Sequence, residues 1–556
     1  MDVRRISIMA ALAVVSYLMI LQWSKDYSGV EPSATDIPQA VIVGDNSVSA
    51  LVSDDIATDI PQGNTVSNET PAVTTAGAIT DLVTIRSDEL VIQVDLNGGD
   101  VVYTGLPKYP ANINTPDVPF AILENVNRTY IAQSGLVGED GIDTKSRAKY
   151  TAEKSEYNLT GDTLDVVLTH VTDSGLVVNK IYRITKDSYL MDIRYEVENK
   201  TTATVRLNLF AQLRRDNSGD PSSTGGIGMR SYLGTTFSTT NEAYNKVKFK
   251  DLEKDRFTET STGGWVAILQ HYFLSAFVPA ANDTNNYYAQ QGKNGQYYAG
   301  YQAPTLVLGP GEQGSTATQL YVGPKDQDSL ELIAPNLEKT VDYGWLWWIA
   351  QPIFKLLQFI HGLVGNWGWA IVLMTLSIKM VLYPLTASSY RSMAKMKKFA
   401  PKIQEMRDMY GDDRQKMSQE MMKLYQKEKL NPLGGCLPML VQMPVFIALY
   451  WVLMESVELR QSPFIFWIVD MSVKDPFFVL PLLMGASMFF QMQMQQQPTM
   501  DPMQAKIMKM MPIMFTFMFL WFPAGLTLYW FVNNLSTIGQ QYYVNRSVAK
   551  ADAKAK

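Results

Sequence analysis

The stretch "LSIKMVLYPLT", residues 376–386, continues an apolar run that begins near Trp367, yet it carries an ammonium group at Lys379. A helical span over 365–387 is long enough to cross the ~30 Å hydrocarbon core of a bilayer at ~1.5 Å per residue. Lys379 then sits about eight residues from the inner end, roughly 12 Å deep. An uncompensated Lys at the centre of such a helix costs about 2.5–3.5 kcal/mol, so something must hydrate or pair it. Thr375 at i−4 and Tyr383 at i+4 share its face, and Thr386 follows, so the charge belongs to a polar stripe.

Composition decides whether lipid is the right surrounding. The chain has 556 residues, too many for one ordinary domain, and its 46% hydrophobic content is unevenly spread. Residues 81–340 are polar, whereas most of 345–541 is rich in Leu, Ile, Met, Phe and Trp. A net charge of −6 gives no pull toward DNA. The single cysteine, Cys436, excludes an intramolecular disulfide and a cysteine-based metal cluster, and His170, His271 and His361 lack ligand spacing. No metal site and no cofactor are expected.

The charges order the membrane topology. Arg4 and Arg5 precede an apolar run without a small-residue cleavage site, so 1–24 reads as an uncleaved anchor with its N-terminus in the cytoplasm. Residues 25–80 repeat "ATDIPQ" at 34 and 57, and 26–80 hold eight acidic residues and no Lys or Arg, which suits a disordered outer tether. Over 81–340, alternating segments with turn signals at Asn97–Gly99 and Asp173–Gly175 predict a large antiparallel all-β sandwich. Residues 341–364, with Trp345, Trp347 and Trp348, read as an amphipathic helix lying in the interface. After the 365–387 span, 388–435 holds eleven Lys and Arg against six acidic residues and belongs in the cytoplasm. Spans over 436–458 and 476–494 follow, separated by an outer loop at 459–475. A cytoplasmic loop at 495–505 leads to spans at 506–522 and 525–545, divided by the turn "WFPAG". Residues 546–556 form a basic cytoplasmic tail. Six spans satisfy every charge cluster, whereas a crossing by 341–364 would force the eleven-cation loop outside.

A second polar stripe runs along the last span: Tyr529, Asn533, Ser536 or Thr537, and Gln540, with Gln442 and Gln491 able to join from two other spans. Two facing stripes build a wet groove inside the bundle. The 388–435 loop reads as a helical hairpin whose apolar stripe includes Met393, Met396, Ile403 and Met406. Arg391, Lys395, Lys398 and Lys402 lie off it, available to anionic lipid headgroups, ribosomal RNA or an acidic partner. Dense methionine over 393–518 suits either a surface for varied apolar partners or an irregular core.

The succession "YPLT", "SMAKM", "PKIQ", "GDD", "NPLGGC", "SVELRQ", "DPMQ" and "FLWFP" resembles the YidC/Oxa family of membrane protein insertases in its Gram-negative form. That resemblance implies a conserved core of five helices and a periplasmic sandwich similar to sugar mutarotases, a mutarotase-like supersandwich. It also implies a hydrophilic groove open to the cytoplasm and the lipid but closed outside, in the cell inner membrane. Relatives often carry Arg at the position of Lys379 and Tyr at that of Trp530; Lys keeps the charge without the bidentate fork. Nascent membrane proteins are the implied clients, with the Sec translocon as a partner and the ribosome and signal-recognition-particle receptor at the cytoplasmic hairpin and tail.

The chemistry expected is therefore not enzymatic. Lys379 attracts polar or acidic parts of a client into the groove, and apolar burial at ~25 cal/mol per Å² drives the client span into lipid. No phosphate-binding loop G-x-x-x-x-G-K-[ST] occurs. The rival reading is a secondary transporter with Lys379 as substrate or proton site, but the sequence shows no repeated halves with matching broken helices.

Overall fold

The computed structural model describes residues 81–223, 231–410, 413–427, 437–495 and 502–555. The anchor and tether expected over 1–80 lie outside these residues, as does Cys436. The polar half of the chain folds into two facing sheets. The ten-stranded sheet runs Phe257–Thr262, Thr284–Gln291, Tyr297–Leu308, Val205–Arg215, Tyr130–Val137, Asp100–Asn112, Val91–Asp95, Leu82–Arg86 and Glu156–Asn158, with Thr115–Leu123 paired to Asp100–Asn112. The nine-stranded sheet runs Asn245–Val247, Gly234–Ser238, Trp265–Leu269, Phe273–Pro279, Gln313–Pro324, Leu190–Asn199, Leu176–Thr185, Thr163–Val171 and Thr151–Ala152. Pairing is antiparallel except between Leu82–Arg86 and Glu156–Asn158.

Period-two patterning sets the strand faces. In Leu190–Asn199, Met191, Ile193, Tyr195 and Val197 are buried between the sheets, and the intervening residues are more exposed. The turns fall at Gly98, Gly99 and Gly175, whose φ angles of 93°, 61° and 98° suit glycine. Gly98 is needed for a second reason. A Cβ there would meet Arg147 Nε at 2.3 Å, because the buried Arg147 guanidinium lies on it and donates to its carbonyl at 3.0 Å.

That arginine belongs to an ionic network inside the sandwich. It pairs with Asp143 at 3.0 Å and with Asp100. Lys180, fully buried, donates to the carbonyls of Gly98, Gly99 and Ser134 at 3.1, 2.7 and 3.0 Å. Burial pushes the Lys180 ammonium down to about 7 from its ordinary 10.5, with Asp100 pulling upward.

Eleven helices are labelled among the described residues: α1 (Phe249–Leu252), α2 (Gln327–Ile333), α3 (Trp347–Val364), α4 (Trp367–Val381), α5 (Tyr383–Lys398), α6 (Ala400–Tyr410), α7 (Arg414–Lys427), α8 (Leu437–Glu455), α9 (Val479–Gln495), α10 (Pro502–Phe519) and α11 (Ala524–Ala555). None of them alone is long and apolar enough to cross a membrane. The pair α4 and α5 passes together, bent by 66° between them.

This bend corrects the 365–387 helix. It stops at Val381, so Lys379 lies in its last turn, only about 3 Å along the axis from the break. Pro384 is the cause: it has no N–H for the Met380 carbonyl and its ring clashes there, yet it fits the first turn of α5. Tyr383 therefore starts a new helix instead of continuing the Lys379 face. The basic stretch after 545 continues α11 as far as Ala555, in a 32-residue helix about 48 Å long.

The sandwich and the helices share one apolar core. Trp265, Leu269, Leu274 and Tyr321 of the nine-stranded sheet pack with Ala350, Phe354 and Leu357 of α3 and with Leu449 and Leu453 of α8. The opposite side of α3 leaves Trp347, Trp348, Phe359 and Leu363 exposed. Polar contacts lock the junction. Lys325 reaches Glu455 at the end of α8 at 3.1 Å, with both side chains buried. The His271 ring meets the Met454 carbonyl at 2.7 Å, and Arg460 donates to the Pro110 carbonyl at 2.7 Å while lying over Phe120 and Phe273.

Two outcomes follow. Because the unfolded chain binds more protons at Lys180 between about pH 7 and about pH 10, stability rises with pH through that window and is level below it; Lys180→Met should remove the slope in urea midpoints. Glu455→Ala leaves Lys325 buried without a partner and should cost about 3–5 kcal/mol, whereas Lys325→Met with Glu455→Met should recover most of the loss in thermal unfolding.

Candidate functional site

Lys379 projects from the last turn of α4 into the space between α8 and α11, where it is 5% exposed. Its Nζ donates to Thr537 Oγ1 at 2.8 Å and to Gln442 Oε1 at 3.3 Å. Gln442 in turn donates to Asn533 Oδ1. The break after α4 has a further use here. The last carbonyls of a helix lack a partner in the next turn, and that of Lys379 accepts from Gln540 Nε2 at 3.2 Å. Three helices are thus joined through neutral amides and a hydroxyl. Among the described residues no carboxylate makes an ion pair with Lys379.

The polar set is one layer of three along α11. Toward the sandwich lies a layer of rings. Trp530 packs edge-on against Phe446 at 4.3 Å and beside Phe519 at 5.6 Å and Phe515 at 6.1 Å, while Phe522 bridges Phe519 and Tyr450. Next come Asn533, Thr537, Gln540 and Gln541, about 12 Å of helix. Beyond them Val544 meets Ala387, Tyr390 and Met393 of α5 in a small apolar cluster.

The sequence-derived residues divide accordingly. Lys379, Gln442, Asn533 and Gln540 come together. Thr375 is buried on the same helix, but its hydroxyl donates back to the Ile371 carbonyl at 2.6 Å. Tyr383 lies past the bend, half-buried against the α5–α11 cluster. Trp530 sits in the ring layer, whereas Tyr529, buried and stacked on Phe446 at 6.4 Å, also hydrogen-bonds the Gln442 side chain and so joins the ring layer to the polar one. Among the described residues, no hydrogen bond joins Gln491 to the Lys379 network. The buried atoms Gln491 Oε1, Gln540 Oε1, Gln541 Oε1 and Trp530 Nε1 have no protein partner, so polar capacity is left over in this region. Arg391, Lys395, Lys398 and Lys402 are exposed on α5 and α6.

The sequence leaves Thr537 level with Ser536, and both hydroxyls donate back to i−4 carbonyls at 2.8 Å, but it is Thr537 Oγ1 that accepts from Lys379. Sequence reasoning missed Asn534 and Gln541, seven apart on α11, which bond Ser487 Oγ at 3.1 Å and the Met494 carbonyl at 3.3 Å. The same carbonyl, at the end of α9, accepts from Lys397 of α5 at 2.6 Å, so α5, α9 and α11 meet on one oxygen. Close packing of α9 on α10 depends on Gly485, where a Cβ would meet Thr516 Oγ1 at 1.9 Å.

Residues 82–356 match the family model of the YidC periplasmic domain and 359–551 that of the 60Kd inner membrane protein. The membrane protein insertase YidC of Ectopseudomonas mendocina is 48% identical over 577 residues, covering 99% of each chain. The chain belongs to the YidC family. The Azotobacter vinelandii member is also 48% identical, over 565 residues and 99% of each chain. A crystal structure of an active YidC insertase with its first transmembrane domain resolved aligns with 84% of this chain and 93% of its own, at 16% identity and a TM-score of 0.38. The two family models meet at 356–359, within α3, where the sandwich and the helices share their core.

If the ring layer seals one end of the polar layer, a thiol at Asn533→Cys in a Cys436→Ser background should react with a membrane-impermeant maleimide from the side away from the sandwich only. Adding Trp530→Ala and Phe446→Ala should open reaction from the sandwich side as well.

Proposed function

We propose that this chain inserts membrane proteins into the inner membrane and that Lys379 acts as a transient counter-charge for polar or acidic residues flanking a client span. One observation carries the reading: a buried ammonium is held by Thr537 and Gln442, which solvate it without neutralising it. A carboxylate arriving in the layer gains the whole charge instead of competing with a resident anion. A carboxylate about 4 Å away gains about 4 kcal/mol at an effective dielectric of 20. The client's apolar span then leaves sideways into lipid, driven by burial of its own surface.

The same reading makes α4 with α5, α8, α9, α10 and α11 five membrane-crossing units, with an N-terminal anchor as the sixth. The exposed apolar residues Ile513, Met514 and Phe517 on α10, and Phe489 and Phe490 on α9, support lipid contact. The sandwich is then periplasmic, and we take it as a mutarotase-type supersandwich serving as a platform; its two long sheets and its apolar junction with α3 and α8 support that use. The α6–α7 hairpin and the end of α11 are cytoplasmic, with both chain termini. The exposed cations Arg391, Lys395, Lys398 and Lys402 suit anionic lipid, a ribosome or the signal-recognition-particle receptor, and the Sec translocon is the expected membrane partner.

Replacing Lys379 by Leu removes charge-assisted bonds worth about 1.5–3 kcal/mol each. Insertion of a short client with acidic residues before its span should fall roughly ten- to a hundredfold, while Lys379→Arg stays within a few-fold of the parent. A client with a neutral flank should lose little. Unchanged insertion of the acidic client by the Leu variant, measured by protease protection in vesicles, overturns the counter-charge role.

A further inference from the structure

The connection between α8 and α9 carries a feature the insertion reading does not use. Its tip, "PFIFWIV" at 463–469, has no charged residue. Phe466 is 85% exposed, and Ile465 and Val469 are 37% and 50% exposed, although the surrounding loop is tightly built. Phe464 turns inward, at a distance of 2.0 Å from where a Cβ on Gly368 would stand, and packs edge-on against Trp369 at 5.5 Å. Asn366, which caps α4 through the Trp369 N–H at 3.1 Å, also donates to the Pro463 carbonyl at 3.2 Å. Asp475 caps α9 through the Phe477 and Leu480 N–H groups and accepts from Trp467 Nε1 at 2.9 Å. The tip is thus fixed against the first turns of α4 and α9.

Held this way, the loop forces Phe466 outward. Its φ of 56° lies in the left-handed region, which a bulky residue adopts only when its surroundings over-determine it; Gln461 and Phe478 share that angle. Gln461 is tied to the sandwich through the Pro110 carbonyl at 3.1 Å. The charged neighbours are occupied elsewhere: Arg460 lies over Phe120 and Phe273, and Asp470 accepts from Ser472. Lys379 is ten residues further along α4 than Trp369, about 15 Å away, so the tip stands clear of the polar layer.

We propose that the 463–469 tip inserts into the outer leaflet, with Ile465 and Phe466 among lipid acyl chains just below the headgroups. Rings without charge, presented at the ends of crossing helices, match the chemistry of that boundary. This rests on the reading of α4, α9 and α10 as membrane-crossing. It adds a second fixed point, besides the exposed tryptophans of α3, for the outer end of the bundle.

Nitroxide labels on the full chain in a Cys436→Ser background, reconstituted in phosphatidylethanolamine and phosphatidylglycerol vesicles, test it by power saturation. A label at Phe466→Cys should be relaxed far more by oxygen than by a water-soluble nickel chelate. Met514→Cys, 62% exposed on α10, gives the lipid reference, and Val126→Cys, 82% exposed on the sandwich, the aqueous one. If 466 behaves like 126 while 514 is in lipid, the tip proposal is overturned and the crossing helices stand. If 514 is aqueous too, the crossing reading falls and the proposal with it. A photo-crosslinker at 466 should yield lipid adducts; an adduct with a client or a second copy instead overturns the lipid assignment.

Discussion

An ammonium group inside an apolar helical bundle has to be solvated by something, and here the solvent is two neutral side chains on two other helices. Placing Lys at the centre of a span costs about 2.5–3.5 kcal/mol, and hydrogen bonds to a charged group recover about 1.5–3 kcal/mol each. Thr537 and Gln442 therefore come close to balancing the cost of burial. What they leave intact is the charge itself, whose field a dipole cannot cancel. The rest of the helical half follows from that requirement: α8 and α11 must approach α4 closely enough to bring an amide and a hydroxyl to one nitrogen. Rings fill the bundle above the polar layer and a small apolar cluster fills it below.

The sandwich enters this arrangement mechanically. Its nine-stranded sheet contributes side chains to the same core as α3 and α8, so the Glu455 end of α8 cannot shift without disturbing both. A buried ion pair at Lys325 and Glu455 adds register more than stability, because desolvating both groups offsets much of their attraction. Gln442 and Glu455 stand on the same helix, thirteen residues or about 20 Å apart. Holding one end of α8 against the sandwich therefore fixes the height at which the amide at the other end meets Lys379.

Much of this was legible before any coordinates. Spacing of four brought out Asn533 and Thr537, and alternation with glycine turns at 98–99 and 175 marked the strands, because these signals are local and depend on one helix face or one hairpin. Tyr383 failed for an equally local reason: the i+4 rule assumes an unbroken helix, and Pro384 one residue later breaks it. The ring layer was not legible at all. Phe446, Phe515, Phe519 and Trp530 come from three helices, and as single residues each looks like ordinary apolar packing. The helix running on to Ala555 agrees with the good helix propensity of Ala and Lys.

The geometry also bears on why lysine suffices at 379. Thr537 and Gln442 approach Nζ from different helices, α11 and α8, and are not the two oxygens of one carboxylate. A planar guanidinium gains most when its fork meets paired, coplanar acceptors; a rotating ammonium with three donors suits scattered ones. Two of those three donors are used within the described residues, which leaves one N–H to offer a visitor. An arginine here would present more donors than the two resident acceptors can take. It should hold a client carboxylate more tightly and in a narrower set of orientations. On the proposed counter-charge role, in which each client is released into lipid, the weaker and less directional cation is a workable choice, and the neutral groups around it leave its charge available for the next one.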